Sequence, residues 1–133
     1  MTDVLIVDDE ESIRMSMRYV LDDAGYQVFE AADGREAYAV LTTLAAGIVV
    51  LLDLAMPGMD GPALLEALKE QSSMAAQHAI IVVSAYATAT LPLRVAKLLS
   101  DLDVPVLGKP FHIDDLLAAV AKAEQRVKPS RCK

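Results

Sequence analysis

The chain is short of several things, and each shortage excludes a class of protein. It has one cysteine, Cys132, so neither an internal disulfide framework nor a cysteine-based metal knot can form. No apolar run reaches the ~18 consecutive residues that suggest a membrane span. No basic stretch followed by a long apolar one opens the chain, as a secretory signal would require. A cytoplasmic protein without a membrane partner is therefore expected. No Gly-x-x-x-x-Gly-Lys-[Ser/Thr] loop is present, which argues against nucleotide binding. The two histidines, His78 and His112, have no third ligand in view; they read as surface residues and not as a zinc site. Basic residues are outnumbered by acidic ones, 12 to 19, for a net charge of -7. That balance disfavours direct contact with nucleic acid. Repeats and low-complexity segments are also missing.

What remains is a chain of 133 residues, 54% of them apolar, a length that suits one domain. Two periodicities alternate along it. Val4 to Val7 form a short β-branched run, read as a buried strand. Ile13, Met17, Val20, Leu21 and Ala24 then recur at helical spacing, and Gly25 is a C-terminal stop. Gln27 to Glu30 is a second strand. Ala37, Val40, Leu41 and Leu44 mark a second helix, opened near Asp33-Gly34. Ile48 to Leu52 is the third strand, and Leu64, Leu65 and Leu68 lie on a third helix with Pro62 in its first turn. Ala79 to Val83 is the fourth strand, followed by a helix carrying Leu91, Val95, Leu98, Leu99 and Leu102. Pro105 to Leu107 is a fifth strand, with Pro at its first residue as on a sheet edge. A fifth helix runs from Asp114 to about Val127. The basic tail, residues 128–133, reads as a frayed end or the start of a linker.

Five strands alternating with five helices predict an α/β fold: a three-layer, doubly wound (βα)5 sandwich around a parallel sheet. Strand order 2-1-3-4-5, the flavodoxin-like arrangement, is one common solution. Ligands of such sheets sit beyond the carboxyl ends of the strands, where the order reverses between strands 1 and 3. The residues at those ends are therefore the informative ones. Strand 1 runs into Asp8-Asp9 and strand 3 into Asp53. Strand 4 runs into Ser84, and strand 5 into Gly108-Lys109-Pro110. Glu30 ends strand 2, away from this group.

If strands 1 and 3 are neighbours, three carboxylates converge. At ~4 Å and an effective dielectric near 20, each like-charged pair repels by about 4 kcal/mol. Either some of them take up protons or a divalent cation balances them. Hard oxygen donors suit Mg²⁺. With Mg²⁺ beside Asp53, Lys109 as a second positive contact and Ser84 as a hydrogen-bond donor, the group has the parts that phosphoryl transfer needs. Asp53 is then the nucleophile. Asp53 alone reads more simply as a turn residue before Pro57-Gly58; the company of Asp8, Asp9 and Lys109 reverses that preference. Glu10 and Glu11 suit the first turn of a helix. Met15 and Met17 read as core or loop filler.

Four segments taken together resemble one family, the receiver domain of two-component response regulators: VLIVDDE at 4–10, LLDLAMPGMDG at 51–61, VVSA at 82–85 and GKPF at 108–111. Each is weak alone; in this order, each at a predicted strand end, they are specific. The resemblance covers residues 4 to 127, so residues 1–127 are expected to form the domain. It implies Asp53 as phosphoacceptor and Asp9 as a direct Mg²⁺ ligand, with Asp8 acting mainly through water. The backbone carbonyl of Ala55 is implied as a further ligand. Ser84 matches the switch hydroxyl and Lys109 the invariant lysine. A cis bond is implied between Lys109 and Pro110. The chain departs from the pattern at Val106, where many receivers carry an aromatic switch residue; Tyr86 is a candidate substitute, and with Ala55 it borders the approach of solvent.

The implied function is a phosphorylation-controlled signalling switch, single-domain or excised from a longer protein, that turns over only its own aspartyl phosphate. Its partners would be a sensor histidine kinase or a histidine phosphotransfer protein in a phosphorelay, and a downstream protein meeting the face built from helix 4, strand 5 and helix 5. Two alternatives compete. One is a pseudo-receiver that docks a partner without phosphorylation, which Val106 keeps open. The other is an aspartate-nucleophile phosphohydrolase, disfavoured because such enzymes need a second aspartate where Ala55 stands.

Overall fold

The computed structural model describes residues 3–43, 47–53, 78–84, 105–108 and 112–125, together with Glu66, Lys97 and Ser100. Five strands form one parallel sheet: β1 (Val4–Val7), β2 (Val28–Ala31), β3 (Val49–Asp53), β4 (Ala79–Ser84) and β5 (Val106–Gly108). Their order is β2-β1-β3-β4-β5. Three helices accompany them: α1 (Glu11–Asp23), α2 (Gly34–Thr43) and a C-terminal α3 (Ile113–Glu124), which is the fifth helix of the sequence reading. The predicted third and fourth helices lie largely outside the described residues, although Glu66, Lys97 and Ser100 within those spans are helical. Among the described residues no helix is long and apolar enough to cross a membrane.

The sheet explains the sequence pattern. All four residues of β1 are buried, as are the first four of β3. Strands covered on both faces have no polar side to alternate with, so they read as unbroken apolar runs. The outer strands β2 and β5 are only partly buried. On one face Val4, Ile6, Val49, Leu51, Ile81 and Val83 pack with Met17 and Leu21 of α1 and Leu116, Val120 and Ala123 of α3. The pleat turns Leu5, Val7, Val50 and Leu52 to the opposite face. Met17 is thus core, whereas Met15 is 59% exposed.

Local chemistry sets the helix ends. At the end of α1, Gly25 takes φ 99°, a left-handed conformation that glycine adopts without penalty. The Gly25 N–H donates to Asp22 O and the Tyr26 N–H to Leu21 O, both at 3.0 Å. That is the paired bond of a Schellman stop, and it returns the chain to the sheet with Tyr26 against the core. At the start of α2, Asp33 Oδ1 accepts the Glu36 N–H at 2.9 Å while Glu36 Oε1 accepts the Ala32 N–H at 3.0 Å. Two donors left over at the helix start are satisfied reciprocally.

Strand bounds differ from the sequence reading by one residue in several places. β2 covers 28–31 instead of 27–30, because it aligns with β1 through Val4 opposite Val28. β5 begins at Val106, and the Pro105 carbonyl accepts the Val82 N–H at 2.9 Å. Proline there supplies the acceptor without needing to donate.

His78 is a correction. It was expected at the surface and is 5% exposed. It precedes β4, and its Nδ1 accepts the Ile48 N–H at 3.1 Å just before β3 begins. An accepting Nδ1 carries no proton, so the neutral ring holds its proton on Nε2. Nε2 is buried with no hydrogen-bond partner among the described residues. Burial holds the imidazole below the ordinary histidine range. The unfolded chain therefore binds a proton more readily than the folded one. Stability from this group is complete above the unfolded value of about 6.5 and is lost as pH falls below it. The expected slope is at most about 1.4 kcal/mol per pH unit. Urea unfolding between pH 7.5 and 5 should show the loss in the wild type and a flatter profile in His78→Asn, whose amide oxygen can still accept the Ile48 N–H. Equal slopes in the two proteins would exclude His78 as the source.

Candidate functional site

The carboxyl ends of β1 and β3 lie side by side, in register through Val7 opposite Leu52. The next residues are Asp8 and Asp53. Asp8 is 2% exposed. Its N–H donates to Ala31 O at 3.1 Å, carrying the pairing with β2 one step past the strand. Its Oδ1 accepts the Glu10 N–H at 2.9 Å, which folds the turn into α1. Glu10 caps that helix with extended backbone, and Glu11 lies in its first turn, where a negative charge suits the helix dipole. Asp9, between them, is exposed. Asp53 is the last residue of β3 and partly buried.

One carboxylate oxygen from each of Asp8, Asp9 and Asp53 lies within 4.8 Å of the others. Among the described residues this is the only such group of potential metal ligands. Three hard anionic donors on one side, with one residue open to solvent, fit a small divalent cation that keeps several waters. Soft ligands are missing from the set, which disfavours zinc or copper.

The β4 and β5 tips reach the same pole of the sheet. Asp53 pairs with Val83, and Ser84 pairs with Gly108. Ser84 therefore ends β4 one step beyond the partner of Asp53. Lys109 follows directly on Gly108 in the chain. Lys109, Pro110, Ala55 and Tyr86 lie outside the described residues, as does the tail. Val106 is half-buried on β5.

Arg14 is the residue that the sequence reading missed. Its Nη1 donates to the Asp8 carbonyl at 2.6 Å, and its Nε donates to Glu30 Oε1 at 3.0 Å. Arg18 Nη1 donates to Glu30 Oε2 at 2.7 Å, and Arg18 Nε lies 3.5 Å from Asp22 Oδ2. The hydrogen bond from Arg18, followed by that from Arg14, holds the Glu30 carboxyl below the ordinary glutamate range. Glu30 was expected to stand apart from the acidic group. It does not touch the carboxylates, yet it is joined to their turn through Arg14. An arginine one turn into a helix after an acidic strand end is the only signal in the sequence, and helix-surface arginines are too common for that to single it out.

Fold and site define a class. Residues 4–121 match the model of the response regulator receiver domain, and the chain belongs to that family. It is a phosphorylation-controlled signalling switch, as receiver domains are, and the family binds Mg²⁺ at an acidic pocket. Among relatives, the chain is 36% identical to sporulation initiation phosphotransferase F of Bacillus subtilis, over 90% of each chain. It is 32% identical to the transcriptional regulatory protein FixJ of Bradyrhizobium diazoefficiens, covering 96% of this chain but 58% of that longer protein. Among solved structures, the chemotaxis protein CheY4 of Vibrio cholerae superposes with a TM-score of 0.77 at 31% identity, covering 92% of this chain and 98% of that one. The response regulator TrrA of Thermotoga maritima, solved with Mg²⁺ and BeF, gives 0.74 at 27% identity, covering 92% and 99%.

Proposed function

We propose that Asp53 is the phosphoacceptor of this switch and that Asp9 and Asp53 hold a Mg²⁺ ion, with Asp8 acting mainly through water and the Ala55 carbonyl as a further ligand. The observation that carries this reading is the convergence of the Asp8, Asp9 and Asp53 oxygens within 4.8 Å. When bound, Mg²⁺ would offset the negative charge on the phosphoryl oxygens and so let a carboxylate approach them. An Asp53 oxygen attacks phosphorus, forming the acyl-phosphate bond. The bond from phosphorus to the donor breaks, and the donor leaves with its electron pair, which takes up a proton from solvent when the donor is a phosphohistidine. Lys109 supplies positive charge to the phosphoryl group, and the Ser84 hydroxyl donates to one of its oxygens. The sheet contributes position: Asp53 is fixed by its pairing with β4 and needs little reorganisation.

The donor is a sensor histidine kinase or a histidine phosphotransfer protein of a cytoplasmic relay. The phosphorylated domain, residues 1–127, alters its affinity for a protein that meets the face of the fourth predicted helix, β5 and α3. The protein catalyses only its own phosphorylation and dephosphorylation.

Incubation with acetyl phosphate and Mg²⁺, followed by intact mass, is expected to show a single phosphoryl adduct. EDTA should prevent it. A chain that stays unmodified with excess donor and Mg²⁺ would reject the proposal. So would an adduct of equal yield in EDTA.

A further inference from the structure

Asp9 is exposed, so its direction depends on the backbone turn that carries it. The peptide between Asp8 and Asp9 carries the Asp8 carbonyl, and that carbonyl is the one that accepts Arg14 Nη1 at 2.6 Å. The preceding peptide plane is held separately, by the Asp8 N–H bonded to Ala31 O at 3.1 Å, so the Asp8–Asp9 plane is tethered by its own carbonyl and starts from a fixed neighbour. A fixed plane leaves Asp9 only its own dihedrals to vary. Arg14 is in turn mostly buried, with 15% of its side chain exposed. Its second bond, to Glu30 on β2, fixes the guanidinium in one orientation, because the fork is rigid.

A cation this close to a metal site would ordinarily repel the metal. Here the charge is cancelled locally. Arg14 and Arg18 share Glu30, and Arg18 also meets Asp22, so two cations face two anions. The turn gains a strong donor while the ligand set keeps its negative field.

We infer that Arg14 is a positioning residue for the metal site: it orients the Asp8-Asp9 turn through the Asp8 carbonyl, and Glu30 both aims and neutralises it. The inference rests on the reading of Asp8, Asp9 and Asp53 as the Mg²⁺ site. Partners that orient metal ligands typically matter by about 10- to 100-fold in affinity. Arg14→Met is therefore expected to weaken the metal by about tenfold or more. The effect should be seen in protein that is still folded at the titration temperature. Arg14→Lys should fall between it and wild type, since one ammonium cannot serve both acceptors in the fork geometry. Arg18→Met, which leaves the Asp8 carbonyl bond in place, should stay within about twofold.

The measurement is a Mn²⁺ titration followed by the EPR signal of the free ion, with Mg²⁺ as competitor. It needs no phosphodonor and no turnover. A folded Arg14→Met protein that binds as tightly as wild type overturns the inference. If that variant does not fold, Glu30→Gln decides: it keeps the carbonyl bond but leaves the guanidinium charge uncancelled. Affinity should then drop about threefold or more, and an unchanged value overturns the inference. Wild type that binds neither ion would overturn the underlying site as well, which separates the two failures.

Discussion

Asp53→Asn is expected to abolish the phosphoryl adduct. The substitution changes almost nothing in shape. It replaces a carboxylate oxygen, an anionic nucleophile, with an amide oxygen that has little capacity to attack phosphorus. Donor and fold are kept, so the loss cannot be assigned to unfolding. The same substitution removes one of the three charges whose oxygens lie within 4.8 Å. A Mg²⁺ ion held by these carboxylates would stabilise the folded state by RT ln(1 + c/Kd), with c the free Mg²⁺ concentration. The rise in Tm that Mg²⁺ produces in the wild type should accordingly shrink in Asp53→Asn. The two readouts are independent, one by intact mass and one by thermal unfolding. A full-sized adduct in Asp53→Asn would move the acceptor to another residue. An unchanged Mg²⁺ increment would remove Asp53 from the ligand set.

Leu51→Ala should produce the largest loss of stability. Leu51 lies on the central strand β3, is 1% exposed, and belongs to the cluster shared by α1, α3 and the sheet. Removing its branched end deletes buried apolar surface and leaves a cavity that the surrounding strands cannot close, because β3 is clamped by pairing on both sides. The expected cost is about 2–5 kcal/mol. Total stability for a domain of this size is about 5–15 kcal/mol, so a third of it can disappear in one substitution. Urea unfolding should show a lower midpoint with an unchanged slope. Tyr19→Ala makes the contrast. Tyr19 is 77% exposed, and its removal should alter stability by no more than about 0.5 kcal/mol. Similar losses in both variants would contradict the layered core described above.

How legible was all this in the chain itself? The central strands were plain because burial on both faces demands unbroken apolar runs, as in VLIV and VVLL. Gly25 marked the end of α1 because its φ of 99° is one that few other residues tolerate. The acidic group was legible too. A parallel sheet has one pole where strands end, so Asp8, Asp9 and Asp53 could be placed together by counting outward from each strand. The limits were equally physical. The shift of β2 by one residue follows from its register with β1, and register is a property of two strands, not of one. His78 looked like a surface histidine because the type is only intermediate in burial and no partner for it is visible in the sequence. Only the approach of β3 to β4 shows that its Nδ1 takes the Ile48 N–H.

Periodicity and the chemistry at the strand ends determined, from the chain alone, the layered α/β class and the three candidate carboxylates, because these depend on which residue types lie next to one another in order; strand order 2-1-3-4-5 was one common solution for that class and became definite only in the sheet. Tertiary structure decided the rest: the path from Glu30 through Arg14 to the Asp8 carbonyl, and the buried bond of His78. Those contacts join residues 16 and 30 positions apart for Arg14–Glu30 and Ile48–His78. Such contacts leave no period in a sequence, since the side chains involved are ordinary until two elements bring them within bonding distance.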